Sequence, residues 1–513
     1  MSSKSIFSKF PSTFWIANTM EIMERMGWYG FYAVSTLYLT GDISKGGLGL
    51  SSTDRGVIQA LATFFLYIFP AVFGALADRY GYKKTFIVSS ICMVPSYLLL
   101  GIPTSFFGFL AVYILVAVGH GMFKPVVIST VAKTTNEETG TMGFGIFYMM
   151  VNIGGFIGPI VAGIVRGWDW KYVFYTSAGW LALMGVIALF FYKEPESEHT
   201  AKANEHQSIG EVFKGMVAVV GSGRFFLLVV GLMILLVLGT KWVPFDKVFL
   251  IALGWIVLNL IWDQVLPKAD VKTAGSWLKQ RMKIGEGRYM LYLLLMAGFW
   301  TSFNQIFMTL PEYIRDYVDT TDIIRSMEPL TAFFVSVAQS VGVDATTWGQ
   351  ALLEKGQIKP EYLINLNAFG IIFFQVLISY LARNLKPFTT IISGVVITVG
   401  SFLLYLVGAS GWIIVSAILV FSVGEMLASP KSKEYAGRIA PPEKVGMYMG
   451  YFYWCIALGN LFGGLLSGVS YDYFGPNGID QPNLMWILFA VLAAFTAVML
   501  FFYNRWVTGG KRA

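Results

Sequence analysis

The chain has 513 residues, 56% hydrophobic and 13% charged, with a mean hydropathy of +0.63 and a net charge of +7. Soluble proteins carry about 25% charged residues, so this composition excludes a water-soluble globular protein and places the chain in lipid. There the positive excess is explained by Lys and Arg on the cytoplasmic side, and no nucleic-acid partner is implied.

In chain order, hydropathy predicts spans near 13–39, 55–78, 85–101, 105–132, 142–165, 171–192, 225–240, 247–263, 287–317, 365–382, 388–409, 411–430, 446–472 and 484–506. Backbone groups satisfy themselves in lipid only as helices or a closed barrel, and these runs are too long and too uniformly apolar for barrel strands. The fold class is therefore an all-α membrane protein with 14 transmembrane helices. With the N-terminus inside, about 25 of the 37 Lys and Arg fall on the cytoplasmic side and about 10 outside, as the positive-inside rule asks. Both termini are then cytoplasmic. The start, MSSKSIFSKF, is basic, but the segment after it is too long and too charged for a signal peptide.

Spans 7 and 8 are joined tightly by Trp242–Lys247 and flanked by polar linkers. Removing them leaves six helices on each side. This divides the chain into a bundle over 1–195, a linker with a helical hairpin over 196–285, and a second bundle over 286–513. The basic run Lys268–Lys283 reads as an amphipathic linker lying on anionic lipid. The long external loop 318–363 has two candidate short helices, Leu330–Val341 and Thr346–Glu354. Cys92 and Cys455 fall inside spans and read as small packing residues. The three histidines are scattered without ligand spacing, so no metal site and no cofactor is expected.

The first span carries charge at the wrong depth. Glu21, Glu24 and Arg25 lie at i, i+3 and i+4, on one helical face. Charge inside a bilayer costs several kcal/mol or more, so a paired cluster facing a watery cavity is expected. Lys124, in the fourth span, needs an anionic partner, and Glu21 and Glu24 are the candidates. Asn152 in the fifth span is an amide among apolar residues, suited to an interhelical hydrogen bond. Glu425 is the only acid in the apolar run from Phe388 to Pro430, and stands ready for a cationic ligand or a proton. The Ser429–Pro430 step after it should loosen that helix. The loop Gly74–Lys84 resembles the signature loop of the major facilitator superfamily, G-x-x-x-D-R-x-G-x-[KR]-[KR]. Its Gly74, Asp78, Arg79 and Gly81 are read as conformational, with Asp78 near a neighbouring helix N-terminus.

Glu21–Gly30 resembles the E-x-x-E-R-F-x-Y-Y-G signature of the proton-dependent oligopeptide transporter family within that superfamily. Gly119–Pro125 is similar to its G-x-G-x-x-[KR]-P, Phe147–Gly154 to its F-Y-x-x-[IV]-N-x-G, and Phe299–Gln305 to its F-W-x-x-x-[DE]-Q. Glu425–Pro430 with Tyr435 and Ala440–Pro441 resembles its E-x-x-x-S-P…Y…A-P. The resemblance covers nearly the whole chain and implies two six-helix bundles plus the extra hairpin of bacterial members. It implies that Glu21, Glu24, Arg25 and Lys124 couple protons. It further implies that Tyr29, Tyr67, Asn152, Trp300, Asn367 and Glu425 line the substrate pocket with Lys124.

The departures from the pattern are Met26, Trp28, Phe31, Tyr32, Asn304 and Phe452. The family's pocket arginine is Tyr32 here and the facing acid is Asn304, so both members of an implied ion pair are missing together. Phe452 stands where a pocket Trp is usual.

The reading is a proton-coupled symporter of the bacterial inner membrane, not an enzyme, working as a monomer. It would import di- or tripeptides or peptide-like small solutes by alternating access, with the proton gradient and no cofactor. Its partners are the small solute, protons and membrane lipid. The alternatives are the same fold and coupling with an amino acid, modified peptide or organic anion, or a sensor, scaffold or membrane enzyme on this fold.

Overall fold

A computed structural model describes residues 9–136, 139–195, 223–267, 279–282, 287–340, 348–439 and 445–508. Each of the expected apolar runs lies on a helix. The first six are α1 (Ser12–Thr40), α2 (Ser52–Tyr80), α3 (Tyr82–Leu99), α4 (Phe106–Lys133), α5 (Gly140–Val165) and α6 (Trp170–Phe190). The hairpin is α7 (Gly223–Trp242) and α8 (Phe245–Val265). Then follow α9 (Gly287–Phe303), which continues through Gln305–Met308 and Leu310–Tyr317, and the loop helix α10 (Thr321–Ser340). The last are α11 (Leu366–Leu381), α12 (Pro387–Leu404), α13 (Gly411–Ile439), α14 (Val445–Phe474) and α15 (Pro482–Thr508). Among the described residues, eleven helices are long and apolar enough to cross a membrane; α1, with its charged cluster, α3 and α7 fall short of that measure.

Helices α1–α6 pack mainly on one another, and so do α9 and α11–α15. Across the divide, α2 lies along α14 and α5 meets α11. The α2–α14 crossing is close because it is built on glycine: a Cβ at Gly56 would sit 2.3 Å from the Gly464 carbonyl oxygen. That crossing lies toward the end remote from Ser12 and Thr508, called the distal end below. Asp472 of α14 there accepts from the backbone N–H groups of Ser52 (3.0 Å) and Thr53 (2.8 Å), satisfying the first donors of α2.

Several expectations are corrected. Helix α13 does not end at Pro430 but runs on to Ile439. Loss of apolarity is not loss of helix: Glu434 pairs with Lys431 (2.8 Å) and Arg438 (2.5 Å) at helical spacings. In the 318–363 loop, α10 begins nine residues earlier than expected. The second candidate is one turn, Trp348–Ala351, followed by a two-residue hairpin, Leu353–Glu354 with Gln357–Ile358. Its turn puts Lys355 (φ 52°) and Gly356 (φ 77°) in the left-handed region, the requirement of a two-residue hairpin. In the signature loop, Gly81 (φ 94°) links α2 to α3. The acid at the α3 N-terminus is Glu194, which accepts from Lys83 N–H at 2.8 Å; Asp78 instead accepts from the Tyr82 hydroxyl at 2.8 Å. Gly74 packs on Pro125, and Arg79 lies beside the Tyr80 ring. The segment Lys268–Lys283, apart from 279–282, and Ala440–Pro441 lie outside the described residues.

Candidate functional site

The charged face of α1 is buried against α4 and α5. Glycine makes this possible: a Cβ on Gly154 would lie 2.6 Å from the Cβ of Arg25 and 2.6 Å from the Ile22 carbonyl oxygen. Glu21 and Glu24 are fully buried, and the Arg25 side chain is 10% exposed. Arg25 donates two hydrogen bonds to Glu24, a bidentate pair. Its Nε is 3.6 Å from Glu21. Lys124 of α4 donates to Glu21 Oε1, while Glu21 Oε2 has no hydrogen-bond partner among the described residues. The structure thus brings together Glu21, Glu24, Arg25 and Lys124: two carboxylates and two cations in one buried cluster.

A fifth member escaped the sequence reading. His120 Nδ1 lies 2.5 Å from Glu24 Oε1, and its Nε2 lies 2.9 Å from the Tyr97 hydroxyl of α3. The signal was present as spacing. His120 and Lys124 are four residues apart on α4, and Glu24 and Glu21 three apart on α1, so two adjoining helices align both pairs at once.

Next to this cluster is a cavity between the two sets of helices. Of the ten expected pocket residues, Tyr29, Tyr32, Tyr67, Asn152, Asn304, Asn367 and Glu425 line it. Lys124, Trp300 and Phe452 do not; Trp300 and Phe452 are packed inside the C-terminal helices. The wall also includes Trp28, one of the departures from the family pattern, and Thr63, Asn365, Glu361 and Asn460, which sequence alone did not mark. Amides dominate. Asn152 and Asn304 each donate to a carbonyl one turn back on their own helix (2.8 Å each). Each bond uses one of the amide's two N–H groups and leaves its second N–H and its side-chain oxygen unengaged by that bond. Asn367 donates to Glu425 Oε2 at 2.9 Å and to Ser422 at 3.0 Å. Among the described residues, the carboxylic acids on the wall are Glu361 and Glu425, and no Lys or Arg lines it. Arg25 is close behind, with its guanidinium 5.5 Å from the ring centre of Tyr29.

At the distal end, ion pairs cross between the two sets of helices. Arg55 of α2 donates to Glu312 at 2.5 Å and to Ser467 of α14 at 2.7 Å, and Ser52 also donates to Glu312 at 2.8 Å. Both charged side chains are fully buried. Arg166, after α5, holds Glu361 through two bonds (2.6 and 3.0 Å) and Glu354 of the small hairpin through one (2.8 Å). Burial opposes the Arg166 charge, but these carboxylates outweigh it and raise its pKa. Burial and the nearby Arg166 together lower that of Lys359, whose Nζ donates to the Gly163 carbonyl at 2.6 Å.

The family model described as Major Facilitator Superfamily matches residues 19–366 and 330–511. The chain belongs to the Major Facilitator Superfamily. It is a multi-pass membrane protein of that superfamily, and the proteins it resembles within it include peptide transporters. One is the peptide transporter YePEPT of Yersinia enterocolitica, 23% identical over 87% of this chain and 86% of that protein. Another is the dipeptide and tripeptide permease A of Escherichia coli K12, 22% identical over 90% of this chain and 85% of that protein. Among solved structures, a peptide transporter POT in complex with sulfate superposes with a TM-score of 0.69 at 19% identity, covering 98% of this chain and 96% of that one. A POT family transporter in complex with 5-aminolevulinic acid gives 0.70 at 18%, covering 99% and 100%. The superfamily fold and the likeness to the oligopeptide transporter family, read first from motifs, stand.

Proposed function

We propose that this superfamily member is a proton-coupled symporter importing di- or tripeptides or peptide-like solutes by alternating access. The carrying observation is the buried cluster Glu21–Lys124 and Glu24–Arg25, set directly beside a cavity walled by amides, tyrosines and Glu425. Charges so costly to bury suit a group that must exchange protons. In this reading a proton neutralises one carboxylate, and its cation is freed toward the cavity. That cation holds the carboxylate of a zwitterionic solute while Glu425 holds its amino group. The two sets of helices then part at one end and close at the other. Each proton supplies about 2.3 kcal/mol per 100 mV and about 1.4 kcal/mol per pH unit. The chain would work as a monomer in the bacterial inner membrane, both termini cytoplasmic, with no cofactor.

The test is uptake of labelled dialanine into proteoliposomes under an imposed proton gradient. Accumulation above equilibrium that collapses with a protonophore supports the reading; equilibration without accumulation sinks the coupling.

A second reading has a specific observation behind it. Among the described residues the cavity wall presents carboxylates and amides but no Lys or Arg, with Tyr32 and Asn304 standing where the resemblance implies an ion pair. A solute with an amino group and a weaker anionic end fits such a wall. A thermal-shift screen of peptides against amino acids, modified peptides and organic anions separates the two.

A further inference from the structure

Resting on the symport reading above, we propose that His120 is a proton-carrying residue of the coupling cluster. As an imidazolium it replaces Arg25 as the counter-ion of Glu24 and releases Arg25 toward the cavity.

The geometry carries this. Glu24 has two donors where a carboxylate needs one counter-charge: the Arg25 guanidinium and the His120 ring. In the neutral ring, Nδ1–H donates to Glu24 Oε1 and Nε2 accepts from the Tyr97 hydroxyl. A proton arriving at Nε2 needs no heavy atom to move. The Nε2–H then donates to the Tyr97 oxygen, whose hydroxyl hydrogen swings away, and Nδ1–H still donates to Glu24. Protonation therefore alters charge and not fit. The charged and titratable groups facing His120 are Glu24 and Arg25 from α1, Tyr97 from α3, and Lys124 on α4 itself. Helix α2 contributes the apolar Phe69 beside Gly121. The ring of Trp28, which lines the cavity and is stacked on Tyr32 at 5.1 Å, stands edge-on to His120 at 5.1 Å, so one ring separates the histidine from the cavity.

Charge balance then yields coupling. With His120 neutral, the two carboxylates and two cations of the cluster cancel. One added proton leaves a buried net positive charge, which is costly unless an anion arrives. The solute's anionic end is that anion, and Arg25, already beside Tyr29, is the group it meets. Proton without solute leaves an unbalanced charge; solute without proton finds Arg25 engaged.

The chain has three histidines, His120, His199 and His206, so ring-15N-histidine spectra of the full protein in proteoliposomes isolate His120 as the signal lost in His120→Asn. We expect that signal to pass from neutral ring to imidazolium between about pH 8 and about pH 5, with added dialanine increasing the protonated fraction. His120→Asn, which keeps an N–H donor for Glu24 but cannot carry the proton, should lose gradient-driven uptake about tenfold or more. It should also lose the steep pH dependence of what remains. If His120→Asn fails to fold, the double variant His199→Gln/His206→Gln leaves the His120 signal alone and the titration is read there. A ring that stays neutral over that range, or a His120→Asn pH profile that overlays the native one, overturns the proposal. A native protein without gradient-driven uptake sinks the symport reading instead, and the titration still decides whether His120 takes up a proton.

Discussion

Among the described residues, ion pairs are buried in two places, and they are wired differently. The Glu21/Glu24/Arg25/Lys124 cluster lies wholly within the first six helices, on α1 and α4. The distal pairs, Arg55–Glu312 and Arg166–Glu361, each join the first six helices to the last six. If the two sets move as bodies, the α1–α4 cluster survives the motion and the distal pairs must break in it. A group that stores a proton through the cycle belongs in the first kind of place. A contact that favours one closed end belongs in the second. The difference also predicts how each tolerates mutation.

The largest effect should come at the distal end. Arg55→Met leaves Glu312 buried with, among the described residues, only the Ser52 hydroxyl as donor. Removing one partner of a buried pair costs about 3–5 kcal/mol, whereas replacing both by apolar groups is often near neutral. Denaturation of the single variant and of Arg55→Met/Glu312→Leu should show a large loss and then most of it regained. A double variant as unstable as the single would mean that the pair is not what joins the halves there. Next comes Glu21→Gln, which should lower gradient-driven uptake about a hundredfold while counterflow, which needs no net proton movement, falls far less. Its folding stability should change little beside Arg55→Met, because Lys124 is partly exposed (27%) and can turn to water. Equal losses in both kinds of transport would make the cluster a structural element, and the contrast with the distal pairs would disappear.

The same contrast explains what sequence could reveal. Glu21, Glu24, Arg25 and Lys124 were visible because they lie mid-span, where any charge stands out against apolar neighbours. Arg55 and Glu312 lie at the ends of predicted spans, where charge is ordinary, so nothing in one dimension distinguished them from loop residues. His120 was overlooked for a third reason: a lone histidine among apolar residues gains meaning only when α1 and α4 are laid side by side. The helices themselves were legible from hydropathy, yet their ends were not. The Lys431–Glu434–Arg438 ladder extends α13 beyond its apolar run, and the hairpin at Lys355–Gly356 is too short to leave a periodic pattern. Trp300 and Phe452 follow motif spacing but turn into the packing of their own helices rather than the cavity.

The cavity wall offers a smaller test of the boundary between cluster and pocket. Tyr32 and Asn304 both line it, from α1 and α9. Phe307, which also lines it, lies 5.9 Å from the Tyr32 ring. Tyr32→Arg with Asn304→Asp would introduce a cation for a peptide carboxylate together with its own counter-ion. Dipeptide affinity should rise about tenfold, about 1.4 kcal/mol, by calorimetry on the purified protein. Unchanged affinity would mean that Arg25 or Lys124 already meets the carboxylate and that the wall chemistry does not set selectivity.

The smallest effect is expected where a distal contact is wet. Arg166 binds Glu361, fully buried, and Glu354, whose side chain is 48% exposed. Water already competes for the Glu354 carboxylate, so its pair with Arg166 should contribute only about 0–1 kcal/mol. Glu354→Gln keeps an oxygen for the Nη1–H of Arg166 and should shift the denaturation midpoint slightly, with the shift vanishing at high salt. The buried Arg166–Glu361 bonds, shielded from salt, should be unaffected by the same titration. If Glu354→Gln instead destabilises the protein as strongly as Arg55→Met, then the small hairpin is a structural clasp on the distal end. The exposure of Glu354 would then be a poor guide to the strength of its bond.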